Sequence, residues 1–425
     1  MQQPTWWMNA KIYELYVDKF AEDFKGLTEK LDYFTHLGIN TLHILPHYTS
    51  PMVDDGYDVS DYRTIRPELG TMDDFRAFAD AAHKRGIRII IDFVLNHVSE
   101  KHEWFVEARS SKQSRTRDFF IWSPTGRELA DAPNPFRDFK ASNWIWNEAT
   151  GDYYYATFYP QQPDLNWGNP IVFAEMVDIM DFWVAAGTDG FRLDAVPLLF
   201  EQEETSSVGL PATHSIIAAL RQHLDNNYGG RIVLLAEVVV PAAEAVEYFG
   251  DGRECQMVYH FQLAAEMFLS MMRHDRSQLD TVVQETFSML PTGAQWATFL
   301  RNHDDLNLGM IKKNDRYELI QFLDPEGKYL FNKGCGVSVR LGTIFQNAPE
   351  RIVEAHELLY SLPGAPILYY GDEIGMQNLP GSSFTDTRRY VRGPFDWNTA
   401  ESMRADQQST LNRIARLIHD HHGVR

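Results

Sequence analysis

Eight short apolar runs, rich in β-branched and aromatic residues, recur along the 425-residue chain at 11–17, 39–45, 87–94, 188–194, 232–237, 256–261, 296–302 and 366–370. Some are apolar without alternation, as in Ile89-Ile90-Ile91, which suits strands buried on both faces of a parallel sheet. Stretches of helical period separate them. Thr71 reads as an N-cap with Asp73 and Asp74 in the first turn, Phe75, Phe78, Ala79 and Ala82 follow at i, i+3, i+4 and i+7, and Gly86 stops the helix. A second helix opens at Asn169-Pro170, carries Phe173, Met176, Val177, Met180 and Val184, and ends at Gly187. Further helices are expected at 28–37, 212–227, 262–274, 349–362 and 406–421. Parallel neighbours need crossover connections, so this alternation predicts an α/β fold, a (β/α)8 TIM barrel. One connection breaks the rhythm, running from His97 to Asn169 and dense in Trp and Tyr. A structureless loop of that length is improbable in a folded domain. The expected organisation is therefore a barrel over 1–97 and 170–425, with an aromatic-rich insertion subdomain, or lid, over 98–169.

Charge narrows the possible partners. Lys plus Arg number 39 against 59 Asp plus Glu, a net charge of −20. Such a surface repels phosphate backbones and anionic lipid, which argues against nucleic acid and membrane partners, while a small neutral substrate is not disfavoured. Cys255 and Cys335 are too few for a disulfide framework and read as free thiols in a reducing compartment. Neither an apolar run long enough for a membrane span nor a leader pattern at the N-terminus is visible, so a cytoplasmic protein is expected, with homo-oligomerisation left open.

Chemistry in (β/α)8 enzymes lies at the C-terminal ends of the strands. Here those ends read Asp92-Phe-Val-Leu-Asn-His97, Gly190-Phe-Arg-Leu-Asp194, Leu235-Ala-Glu237 and Arg301-Asn-His-Asp304. Three carboxylates from three strands, Asp194, Glu237 and Asp304, would converge on one mouth. Arg192 lies two residues before Asp194, on the same side of the strand, and would keep it ionised as a nucleophile must be. Glu237 follows the apolar Val233-Leu234-Leu235, a setting that raises a carboxyl pKa and suits a general acid. Two carboxylates in opposed environments suit cleavage of a glycosidic bond, with retention of configuration if they stand ~5–5.5 Å apart. His97, His303 and Asp304 would bind sugar hydroxyls, and the insertion's aromatics would stack on sugar rings or else form its own core. Taken singly, each carboxylate is equally a loop cap or half of an ion pair; the clustering at strand ends favours the chemical reading. The alternatives are a metal-dependent barrel enzyme using the same carboxylates, which Arg192 opposes by competing with the cation, and a catalytically inactive relative acting as a partner protein.

The ordered set of motifs resembles the α-amylase family of retaining glycoside hydrolases and transglycosylases. Its four signature regions are matched by 92–97, 190–194, 235–237 and 302–304, and a fifth by Gln162-Pro-Asp-Leu-Asn166. The resemblance implies that Asp194 is the nucleophile, Glu237 the acid/base and Asp304 the transition-state stabiliser, with Arg192, His97 and His303 around the first glucose subsite. Asp54 and Tyr57, in Val53-Asp-Asp-Gly-Tyr57, match the exo-acting α-glucosidase branch, and Arg392, in Arg392-Gly-Pro394, resembles that branch's arginine. Asp54 and Arg392 together would then close the pocket over a terminal glucose of a short α-glucoside. The stretches 296–304, 246–250 and 369–375 are similar to those of trehalose synthases. After Glu237, however, the chain reads Val238-Val239-Val240, where those enzymes carry polar residues. The family's calcium loop is not matched at 18–26, so no metal and no cofactor is expected, and its C-terminal β-sandwich is not seen in the sequence.

Overall fold

The computed structural model describes residues 5–381 and 384–422. Eight parallel strands close into a barrel: β1 (Ile12–Leu15), β2 (Thr41–Ile44), β3 (Arg88–Phe93), β4 (Gly190–Leu193), β5 (Val233–Ala236), β6 (Met257–Tyr259), β7 (Gln295–Phe299) and β8 (Ala365–Tyr369). Each lies within or overlaps one of the eight apolar runs, and sequential strands are neighbours all the way round, β8 pairing with β1. Ile12, Ile90 and Phe299, on the inward side of their strands, and Leu42 and Leu193, on the outward side beneath the helices, are all fully buried.

Helices form where their signals stand. Met72–Lys84 carries a reciprocal capping box between Thr71 and Asp74. Pro170–Ala186 is capped by Asn169 and ends at Gly187, whose φ of 114° is left-handed. A Cβ there would fall 2.8 Å from the Cβ of Ala79 on the neighbouring helix, so both the turn and the close approach require glycine.

Two helical expectations change. The helix expected over 28–37 is two, Phe24–Glu29 and Leu31–Leu37. That over 406–421 is a single shorter helix, Thr410–Asp420, which starts where Ser409 caps it by accepting from the Asn412 N–H, and a separate helix, Trp397–Ala405, precedes it. The connection after β7 holds the helix Lys313–Leu323 and a small antiparallel sheet of Leu306–Asn307, Gly336–Val337 and Leu330–Phe331. A further helix, Ser277–Ser288, was not among those expected, although Leu279, Val282, Val283 and Phe287 recur on one face of it.

Residues 98–169 contain the helix Glu103–Ser110 and an antiparallel sheet of Trp122–Ser123, Asp152–Tyr155 and Trp144–Asn147. Trp104, Trp144, Tyr154 and Tyr155 are buried in its interior. Phe136, from this segment, meets Phe331, from the segment after β7, edge to face with ring centres 5.7 Å apart. The two excursions thus touch above the barrel mouth. No helix among the described residues is long and apolar enough to cross a membrane.

Candidate active site

Asp194 and Glu237 each stand one residue beyond the end of a strand. Their N–H groups still continue the ladder, to the carbonyls of Phe93 and Leu193 at 3.2 and 3.0 Å. The register sets Asp92 beside Arg192, and period two turns Asp194 to the same side as Arg192. The Arg192 guanidinium, 1% exposed, then serves three carboxylates. Its Nη1 donates to Asp92 at 2.8 Å and to Asp194 at 2.5 Å, and its Nη2 to Glu237 at 2.7 Å. Asp194 and Glu237 therefore face each other across the two prongs of one fork.

This geometry corrects the expectation that Arg192 holds Asp194 ionised. One cation cannot offset three desolvated carboxylates. Burial, reinforced by Glu237 and Asp92, pushes the Asp194 carboxyl well above its usual range despite Arg192. Asp92 goes the other way: Arg192 and His43 outweigh its burial and lower it. The residue after Asp194 is held in strain. Ala195 has a φ of 48°, a costly conformation for any side chain, and its N–H donates to Glu237 Oε2 at 3.0 Å.

Behind this floor lies a buried relay. Glu14 accepts from the His303 N–H at 2.8 Å and from His303 Nδ1 at 3.0 Å, and pairs with His43 Nδ1 at 3.1 Å. His43 Nε2 faces Asp92 at 3.3 Å. The Tyr57 hydroxyl donates to Asp92 at 2.9 Å and accepts from His303 Nε2 at 2.6 Å. Burial opposes the charge on His303, but Asp304 and Glu14 outweigh it and lift its pKa to about 10. Asp304 is correspondingly ionised. It pairs with His303 at 3.2 Å, Arg388 at 3.3 Å and Arg392 at 2.5 Å, which together override its burial and set its pKa well below the usual value.

The cavity above this floor measures about 360 Å³, in the range of small-molecule sites. Asp54, Tyr57, His97, Asp194, Glu237 and Asp304 line it; Arg192, His303 and Arg392 stand behind these and reach it through ion pairs. His97 is neutral, burial lowering its pKa to about 3, and both ring nitrogens meet protein groups, Tyr57 O at 3.2 Å and Asn96 at 3.4 Å.

The partner of Asp54 differs from expectation. Arg392 reaches Asp54 only at 3.8 Å and spends its donors on Asp55, Asp304 and the His303 carbonyl. Arg388 takes the position instead, 2.7 Å from Asp54 and 2.6 Å from Asp386, with its guanidinium over the rings of Phe136 and Phe331. Asp386 in turn accepts from the Tyr159 hydroxyl. Neither Arg388 nor Asp386 was legible, since they lie on no strand and the Arg388-Arg389 pair has no period to place it. The insertion's aromatic contribution to the cavity is Phe136 and Phe158, not its Trp and Tyr residues.

A closed (β/α)8 barrel with acidic residues of three strands gathered round one guanidinium at its mouth is the framework of a carbohydrate-active barrel enzyme. The comparisons with known proteins agree. The α-amylase catalytic-domain family matches residues 13–324, and the chain belongs to that family. It is 42% identical over 393 residues to a trehalose synthase of Pimelobacter sp., covering 88% of this chain and 68% of that protein. It is 31% identical to an oligo-1,6-glucosidase of Parageobacillus thermoglucosidasius, covering 96% and 73%. Among solved structures, a trehalose-6-phosphate hydrolase from Bacillus licheniformis superposes with a TM-score of 0.74 at 25% identity, covering 97% of this chain and 83% of that one. The chain is thus an α-amylase-family enzyme of the glycosidase and transglucosylase type.

Proposed function

We propose that the protein cleaves short α-glucosides such as maltose with retention, through a covalent glucosyl-enzyme, and passes the glucosyl group to a sugar hydroxyl or to water. The observation that carries this reading is the shared fork of Arg192, which presents Asp194 and Glu237 to a common centre. The reaction requires one proton between the two carboxyls. It resides on Glu237 when a glycosidic oxygen accepts from it, leaving Asp194 charged for attack. An Asp194 oxygen then bonds to the anomeric carbon while the bond to the leaving oxygen breaks, and the Glu237 proton goes to that oxygen. In the second half Glu237 removes a proton from the incoming hydroxyl, which displaces Asp194. Asp304 steadies the developing positive charge on the sugar. Tyr57 and His97 line the glucose subsite, His303 and Arg192 orient the groups in front of them, and Asp54 with Arg388 and Arg392 bounds its closed end. Residues 98–169 serve as a lid that excludes water, which favours transfer. Arg192 already occupies the place between the carboxylates that a metal would need. A cytoplasmic setting suits the free Cys255 and Cys335.

Incubation with maltose followed by product analysis tests the reading. Glucose with trehalose or longer oligosaccharides is the expected outcome, with the α-anomer released first in NMR. Unchanged maltose together with an unchanged aryl α-glucoside refutes it.

A further inference from the structure

The leaving group of the proposed reaction must lie on the Glu237 side of the cavity, because Glu237 protonates its oxygen. The lining residues that follow Asp194 and Glu237 in the chain carry no polar side chain. Pro197 and Leu198 follow Asp194, Val239 and Val240 follow Glu237, and Val208 and Phe261 complete the wall. Pro197 also lacks a backbone N–H, and the Ala195 N–H is already taken by Glu237. The hydrogen-bonding side chains of the cavity come from elsewhere: Asp54, Tyr57 and His97 from the loops after β2 and β3, and Asp304, Asp305, Asn307, Asn332 and Arg388 from those after β7 and β8. Val239 is 40% exposed, and thus an apolar side chain held open to solvent at a reaction centre. A sugar ring against this wall can rest only its C–H face there and finds few partners for its hydroxyls, so it is held less well than an alkyl or aryl group, which gains from burial over its whole surface.

We propose that the subsite beside Glu237 favours an apolar aglycone, so that the enzyme acts on alkyl or aryl α-glucosides in preference to maltose and, in the reverse direction, accepts apolar alcohols as well as sugars as glucosyl acceptors. The proposal rests on the glucosyl chemistry above for its direction and on the valine wall for its content. Methyl, butyl and octyl α-D-glucopyranoside, used below micelle-forming concentrations, test it, because their leaving alcohols have similar acidity and differ only in apolar surface. kcat/KM should rise about fourfold for each methylene the wall covers, and the octyl-to-methyl ratio should fall at least fivefold in Val239→Asn. A flat series overturns the proposal even if every glucoside is hydrolysed. Calorimetric titration of the Asp194→Asn variant with the same glucosides keeps the two claims apart. Tighter binding of the octyl compound without turnover by the native enzyme upholds the wall and refutes the chemistry; equal binding refutes the wall.

Discussion

Arg388→Ala removes the one guanidinium that touches Asp54, Asp386 and Asp304 together, at 2.7, 2.6 and 3.3 Å. Arg388, Asp54 and Asp386 are all buried, so solvent cannot replace the lost partner. Breaking such a pair leaves uncompensated charge and costs about 3–5 kcal/mol. An unfolding entropy of ~2.1 cal/mol/K per residue over 425 residues amounts to ~0.9 kcal/mol/K, so Tm should fall by roughly 3–6 °C. The deficit should depend on pH in a defined direction. Burial lifts the Asp54 pKa to about 6, against the pull of Arg388 and Arg392. A carboxyl whose folded pKa is raised favours the fold while neutral and opposes it as pH rises through that value. Without Arg388 the Asp54 pKa climbs further, so the loss of Tm should be larger at pH 8 than at pH 5, and the acid limb of kcat/KM should move to higher pH. Differential scanning fluorimetry across pH and initial rates on maltose measure both. Arg389→Ala is the control, since Arg389 Nη2 donates to the Val53 carbonyl and its loss strands no buried charge. Equal losses in the two variants, or a deficit independent of pH, would refute the assignment of Arg388 as the counter-ion of Asp54.

Asp194→Asn should lower kcat on maltose at least ~10³-fold while leaving far-ultraviolet circular dichroism unchanged; activity near the native level removes Asp194 as nucleophile. Ala195→Val should lose about 1–3 kcal/mol, because a branched side chain resists the left-handed conformation, and should also lower kcat by shifting the N–H that holds Glu237. Ala195→Gly should keep the native Tm to within a degree or two, which thermal melts of the pair will read. Activity should persist after dialysis against EDTA, since the guanidinium of Arg192 supplies the positive charge among the carboxylates; loss restored by a divalent cation contradicts that role.

The barrel was legible in the chain because its signals are local. Runs such as Ile89-Ile90-Ile91 mark strands buried on both faces, and caps such as Thr71 and Asn169 bound the intervening helices. The placement of Asp194, Glu237 and Asp304 followed at once, since a residue at a strand's end in a closed barrel has only one rim to occupy. Tertiary structure alone decided how charge is shared there. Arg192 lies two residues from Asp194, and proximity in sequence suggested a private pair; the register with β3 and the fork's second prong instead bring in Asp92 and Glu237, which changes the direction of the Asp194 pKa. Arg388 meets Asp54 across 334 residues of chain. Nothing periodic encodes that meeting, because both sit in loops whose paths are set by what they pack against. Period and capping chemistry report on neighbours along the chain, whereas the electrostatics of a site depend on distances through space, and only the closed barrel with its loops in place fixes those.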